Sequence, residues 1–199
     1  MRLFVHEPIV TFYLRENVRW HDGTPFTSAD VEFTFQTVMD ERTNTVRRPM
    51  FELVKKLTAV GPFQVRVRYK QPFAPSLPNW SIGIIARHIF ENQDINISPH
   101  NRKPIGTGPF KFVSSTSGDR IVVERFEDYW NKDEIHLDGV EFRILPDTQT
   151  RFASLKSGEV DVMWTDRGPS IVQAKEDDTL VTLSTEGAGS AVNLVNTRN

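Results

Sequence analysis

Between Phe63 and Lys70 apolar and polar side chains alternate without a break, with Phe63, Val65, Val67 and Tyr69 on one side and Gln64, Arg66, Arg68 and Lys70 on the other. A period of two is that of a strand. A strand with one dry face and one wet, basic face belongs to an antiparallel sheet covered on one side only. Gly61-Pro62 separates this run from Leu57 to Val60, so the two are expected to form a hairpin. The alternation excludes an all-helical fold.

The segments on either side carry their own signals. Phe12, Leu14, Val18 and Trp20 fall at even numbers, the spacing of a strand that runs to the Asp22-Gly23 turn. Thr27-Ser28-Ala29-Asp30 places a hydroxyl and an acid three residues apart, the spacing of a capping box, ahead of Val31, Phe35, Val38 and Met39 at helical intervals. A helix is expected from Ser28 to about Asp40. Pro72, Pro75 and Pro78 forbid regular structure, leaving residues 71–104 loop-rich with one short helix near Ile84 to Glu91. Phe110 and Phe112, a Ser117-Gly118-Asp119 turn and Ile121 to Arg125 read as a second hairpin.

Val140, Phe142 and Ile144 mark a further strand, and Asp147 or Thr148 caps a helix that carries Phe152 and Leu155 and stops at Gly158. Val160, Val162 and Trp164 make the next strand, so Val140 to Trp164 reads as a βαβ unit. A helix over Ser170 to Asp177 and strands over Leu180 to Leu183 and Ala191 to Asn196 complete the pattern. The expected fold class is mixed α/β, in two subregions divided near Asn101 to Gly106.

Composition sets limits on function. The 199 residues are 38% hydrophobic and 25% charged, with 14 Phe and 4 Trp, enough for a real core. A formal net charge of −2 offers no global field to hold nucleic acid or an anionic membrane. The chain has no Cys, which removes disulfides, thiolate metal sites and thiol nucleophiles together. No stretch approaches the roughly 20 apolar residues of a membrane span, and Met1 to Val10 is too short and too acidic for a secretory signal.

Three stretches together resemble the periplasmic oligopeptide, dipeptide and nickel-binding proteins of ABC importers, the family 5 solute-binding proteins. They are FYLRENVRWHDGTPFTSADVEFTF from Phe12 to Phe35, GTGPF to IVVERFEDYW from Gly106 to Trp130, and GVEFRILPDTQTRFASLKSGEVDV from Gly139 to Val162. Read physically, these motifs are scaffold: Asp22-Gly23 turns, Thr27 caps a helix, Gly108-Pro109 bends the chain, and Tyr129-Trp130 buries aromatic area.

The resemblance implies a fragment of a two-lobed periplasmic binding protein of the oligopeptide-binding type. Residues 1–104 then correspond to most of an extra small domain packed on the first lobe, and residues 105–199 to the middle part of that lobe, ending at the crossover to a second lobe. It further implies a substrate-binding component without enzymatic activity, periplasmic or at the cell surface, that takes a peptide or other small-molecule ligand between its lobes and delivers it to an ABC permease. The signal sequence and the second lobe are expected to lie outside this chain. A fragment cut in this way is expected to bind ligand weakly and to self-associate through exposed surface.

Matched by position, the resemblance places ligand contacts at Trp164, Thr165 and Asp166, then in the stretch from Gly187 to Ser190, at Gly189 and Ser190, and at Asn193. Trp164 offers a flat apolar wall, Asp166 an acceptor for an amine, and the strand ends backbone groups for an extended peptide. The residues alone leave a second reading open, with Trp164 in the core and Asp166 solvated or capping. The five histidines, His6, His21, His88, His100 and His136, never recur at metal-ligand spacing, so no metal and no cofactor is expected. The sequence holds no GxSxG, GxxxxGK[ST] or HExxH, which speaks against a hydrolase or an NTPase. A ligand-sensing receptor for a membrane signalling partner is the alternative within the binding-protein class.

Overall fold

In the computed structural model, residues 8–73, 76–165, 169–184 and 192–196 are described. The chain forms two compact units, one running through Ser114 with the addition of Ile121–Glu141, the other comprising Ser115–Arg120 and the chain from Phe142 onward.

The first unit is organised by an antiparallel sheet of order β1-β3-β2, with β1 at Ile9–Tyr13, β2 at Val54–Gly61 and β3 at Gln64–Tyr69. The alternating run is the central strand. Its register sets Val10 opposite Val67 and Phe12 opposite Val65, while Leu57 meets Val67 from the other side. These apolar positions all point to one face, where Val65 and Val67 are fully buried. Each such side chain withdraws area worth about 1.5–3 kcal/mol from water.

Helix α1, Ser28–Met39, covers that face with Val31 and joins Phe51, Val54, Leu57 and Tyr69 in one core. The capping box forms as expected: the Thr27 side chain accepts from the first turn, and Asp30 Oδ2 accepts the Thr27 N–H at 2.9 Å. From the loop-rich stretch, Trp80 stacks on Phe51 at 4.8 Å between ring centroids, and its Nε1–H donates to Tyr69 Oη at 2.7 Å. The short helix in this stretch, α2, spans Arg87–Phe90.

The first strand is shorter than the sequence pattern implied. It ends at Tyr13, and Asn17 takes a left-handed φ of 62°, which breaks the ladder. Trp20 is nevertheless buried, because Arg19 bridges to Pro25 and returns the chain to the core. A second sheet has the order β4-β5-β6, with β4 at Phe110–Thr116, β5 at Arg120–Arg125 and β6 at Gly139–Arg143. The expected hairpin turns at Gly118, whose φ of 74° suits glycine. Trp130 is not buried as expected. It is 41% exposed, with the Arg15 guanidinium 3.5 Å from its ring centroid, and Phe126 takes the buried position instead.

In the second unit, helix α3, Thr148–Ser157, is capped by Asp147 and stopped by Gly158 at φ 77°. A three-stranded sheet of order β7-β9-β8 follows, from β7 at Val162–Thr165, β8 at Leu180–Ser184 and β9 at Val192–Asn196, with α4 at Pro169–Lys175 linking β7 to β8. Phe152, Leu155, Met163, Ala174 and Leu180 form its core. The expected βαβ unit is therefore not the one observed. β6 and β7 lie in different sheets, and the strands that run parallel are β7 and β8, each antiparallel to β9 between them.

Candidate functional site

The β7 strand presents its residues with a period of two. Met163 and Thr165 are buried, whereas Val162 and Trp164 are 56% and 60% exposed. Cross-strand register extends this division over the sheet. Trp164 pairs with Asn193 and Asn193 with Leu183, while Val162 pairs with Val195 and Val195 with Val181. Residues opposite one another share a face. Val162, Trp164, Val181 and Leu183 therefore form one open apolar face, and the core packs against the other.

Among the residues singled out from the sequence, Trp164 and Asn193 are brought onto one rung of this sheet. Trp164 is accessible, which removes the reading that places it in the core of this unit. Thr165 lies one step along β7, on the buried side. Asp166, Gly189 and Ser190 lie outside the described residues, and Asn193 is described by its backbone register.

Side-chain polar contacts fix the connections around β7. Ser154 Oγ donates to Glu159 Oε2 at 2.9 Å, and Arg143 pairs with the other oxygen of Glu159. Below the α4–β8 turn, Asp177 accepts from the Thr179 hydroxyl and from the Thr179 N–H at 3.0 Å, and it pairs with Lys156 at 3.2 Å. Those contacts, led by the Thr179 hydroxyl, hold the Asp177 carboxyl down to about 2. The turn that delivers the chain into β8 therefore carries a charged acid at any ordinary pH.

Sequence patterns gave no sign of a polar groove in the first unit. It has a volume of about 540 Å³ and is lined by Phe33, Gln36, Asp40, Arg42, Phe90 and Asp94 among others. Loops close it against α1 and α2: Asn96 Oδ1 accepts the Asn44 N–H at 2.8 Å and Asn96 Nδ2 donates to the Arg42 carbonyl at 3.0 Å, across 52 and 54 residues of chain. Contacts of this kind leave no periodic trace in a sequence. Among the described residues, no group of three or more His, Cys, Asp or Glu side chains is placed to hold a metal ion, and no helix is long and apolar enough to cross a membrane.

Two of the sequence motifs meet through His21. Its Nδ1 accepts the Gly106 N–H at 3.1 Å and its Nε2 lies 3.1 Å from the Gly108 carbonyl, to which it donates in the neutral tautomer. The ring stands edge-on to Phe126 at 5.1 Å, and the His21 N–H donates to the Gly106 carbonyl at 2.9 Å. The Trp20–Pro25 turn and the Gly106–Phe110 opening thus act as one bracket.

Comparison with known proteins agrees with this architecture. The family model described as bacterial extracellular solute-binding proteins, family 5 Middle, matches residues 8–199. The oligopeptide-binding protein AppA of Bacillus subtilis is 30% identical over 154 residues, covering 74% of this chain and 28% of that protein. NikZ from Campylobacter jejuni, solved in complex with Ni(L-His), superposes with a TM-score of 0.84 at 27% identity over 94% of this chain and 38% of its own. The ABC transporter substrate binding protein CtaP from Listeria monocytogenes gives 0.83 at 27% identity over 92% and 38%. The chain thus spans less than a third of the curated relative and under two-fifths of each solved structure. Its mixed α/β fold is that of a piece of a periplasmic binding protein of the oligopeptide-binding type. With a match that runs from residue 8 to the last residue, the chain belongs to the bacterial extracellular solute-binding proteins, family 5.

Proposed function

We propose that this chain is part of the extracytoplasmic substrate-binding subunit of an ABC importer, and that its ligands are peptides. The observation that carries the reading is the family match over residues 8–199, joined to the 30% identity with a protein named for oligopeptide binding. Residues 1–104 correspond in this reading to most of an extra small domain, and residues 105–199 to the middle of the first of two lobes. Trp164, Thr165, Asp166, Gly189, Ser190 and Asn193 contribute one wall of the ligand cleft. The exposed indole of Trp164 supports this, since a flat aromatic wall suits the alternating side chains of an extended peptide. The subunit works outside the cytoplasm, in the periplasm or at the cell surface, hands its ligand to a membrane permease and performs no chemistry on it.

One cleft wall gives only part of the binding energy, because association carries a fixed cost of several kcal/mol whatever the contact area. The test is therefore made on the protein with whatever flanking sequence its gene encodes. Denaturing the purified protein and analysing the released small molecules by mass spectrometry is expected to yield peptides, and titration with those peptides a micromolar or tighter Kd. Recovery of only sugars or metal chelates would refute the peptide assignment. Turnover of the recovered ligand by pure protein would refute the transport reading itself.

A further inference from the structure

We propose that Asp138-Gly139 is a site of spontaneous aspartate isomerisation in the folded protein, and that Asp22-Gly23 is held back from the same reaction by its hydrogen bonds. Both Asp-Gly steps are in the first unit, and the sequence contains no Asn-Gly. The chemistry needs only water. The glycine backbone nitrogen attacks the aspartate Cγ and an N–C bond forms. One carboxyl oxygen leaves as water, carrying the amide proton and the carboxyl proton. Water then opens the resulting succinimide. Breaking its bond to Cγ restores aspartate, whereas breaking its bond to the main-chain carbonyl carbon leaves isoaspartate, with the chain running through the former side chain. Glycine favours ring closure because no Cβ shields its nitrogen or limits the rotation that brings nitrogen to carboxyl. The step requires a free aspartate side chain, a free glycine nitrogen and a carboxyl that is protonated part of the time.

All three are restrained at Asp22. Its Oδ1 accepts the Thr24 N–H at 3.0 Å, and its Oδ2 accepts from His88 Nε2 at 2.7 Å. The Gly23 N–H donates to the Trp20 carbonyl at 2.8 Å, in a turn that sets Gly23 at a φ of 87°. Burial works to raise the Asp22 carboxyl, but the bonds from His88 and Thr24 outweigh it and hold the group below its usual range. Attack there must first break the bonds to the acid and the bond from the nitrogen.

Asp138 is held far less. Residues 136–139 are exposed without a break, Asp138 lies in a bend of the chain just ahead of β6, and its side chain is 93% exposed. Among the described residues its side chain has one polar contact, an ion pair of Oδ1 with Arg125 Nη2 at 3.0 Å, and exposed pairs of that kind hold weakly. Arg125 also pairs with Glu127 at 2.9 Å, so it keeps a partner when Asp138 swings away. The product would strike a tight place. Isoaspartate lengthens the main chain by one carbon just before Gly139, where even a Cβ would stand 2.7 Å from the Val123 carbonyl oxygen. It also turns the Asp138 carbonyl, which accepts the Arg125 N–H at 2.8 Å, into a carboxylate off the main chain. The modification therefore acts on the pairing of β5 with β6.

The purified protein, with whatever flanking sequence its gene encodes, is aged for weeks at neutral pH and cut with trypsin. Peptides Trp20–Arg42 and Asp133–Arg143 each hold one of the Asp-Gly steps, so one sample reports both. Isoaspartate is read in each by enzymatic methylation of its α-carboxylate. In the folded protein it is expected to accumulate at Asp138 at least about tenfold faster than at Asp22, a factor of the size that a few hydrogen bonds set. Protein aged in urea is expected to convert the two at comparable rates. Asp138→Glu is expected to abolish the signal from its own peptide, since the longer side chain closes the ring far more slowly. Conversion at Asp22 as fast as at Asp138 in the folded protein overturns the proposal. So does the absence of conversion at Asp138, or a ratio that is the same in urea as in water.

Discussion

His21 Nδ1 accepts the backbone N–H of Gly106 at 3.1 Å, across 85 residues of chain, and this needs an unprotonated nitrogen. Burial pushes the imidazole below its usual range, against the opposing pull of the Gly108 carbonyl on the other nitrogen. The folded value being depressed, the contribution of His21 to stability is full above the unfolded value of about 6.5 and is lost as pH falls below it through the folded value. The urea midpoint is therefore expected to drop between pH 7.5 and 5, flanking that unfolded value of about 6.5, and the drop to shrink in His21→Ala. The substitution itself removes two hydrogen bonds and a ring contact and is expected to cost about 2–4 kcal/mol, with faster hydrogen exchange at the Gly106 amide. An unchanged pH slope in the variant would mean that another group carries the acid sensitivity.

Asp30 serves two segments at once. Its Oδ2 accepts the Thr27 N–H at 2.9 Å, and its Oδ1 accepts the Arg87 N–H at 3.0 Å, with the residue 4% exposed. Asp30→Asn keeps the shape but turns an NH2 toward one of these two donors. A buried donor left without an acceptor costs about 1–3 kcal/mol. Thr27→Ala removes only the cap, at about 1 kcal/mol. Asp30→Asn is thus expected to destabilise more than Thr27→Ala in matched denaturation curves. The reverse order would show that the α1 cap dominates and the tie to the first residue of α2 does not.

Gly139 begins β6 where a side chain has no room. A Cβ there would stand 2.7 Å from the Val123 carbonyl oxygen, which is backbone and cannot rotate away. Gly139→Ala is expected to push β6 off β5 and to cost about 1–3 kcal/mol. Gly83, with nothing within 4 Å, is the control and tolerates Ala. Thermal melts of the two variants decide the matter, and equal midpoints would refute the close approach.

What was legible in the sequence is what local physics writes there. The alternation from Phe63 to Lys70 is set by one dry and one wet face. The Thr27 and Asp30 spacing is set by orphan amides at a helix start, and the stop at Gly158 by a left-handed turn. Long-range partners leave no such imprint. Nothing near Asp30 announces that Arg87 will donate to it, and His21, read as an isolated histidine, joins two motifs that are identifiable only as strings. The βαβ reading failed for the same reason: periodicity identified β6, α3 and β7 but carries no record of which strands share a sheet. At the candidate site, the alternation of Val162 and Trp164 identified a strand, while the open side of that strand and its pairing through Asn193 to Leu183 came from the fold.

Met163 and Trp164 are neighbours with opposite fates, and they separate the stability of the second unit from its proposed binding role. Met163 is 3% exposed in the core with Phe152 and Leu155, so Met163→Ala is expected to cost about 2–5 kcal/mol. Trp164 is 60% exposed, and Trp164→Ala leaves little of its contact area to lose, so its cost is expected to stay within about 1 kcal/mol. If the indole forms a cleft wall, the same Trp164→Ala change in the gene-encoded protein should weaken peptide binding about tenfold or more, since buried aromatic anchors carry a large share of interface energy. Met163→Ala, assayed well below its melting temperature, should leave the affinity nearly unchanged. The two substitutions are thus expected to cross over, one lowering stability and the other affinity. A large stability loss at Trp164 with no change in affinity would identify the open face of this sheet as a surface covered by other protein and move the ligand site elsewhere.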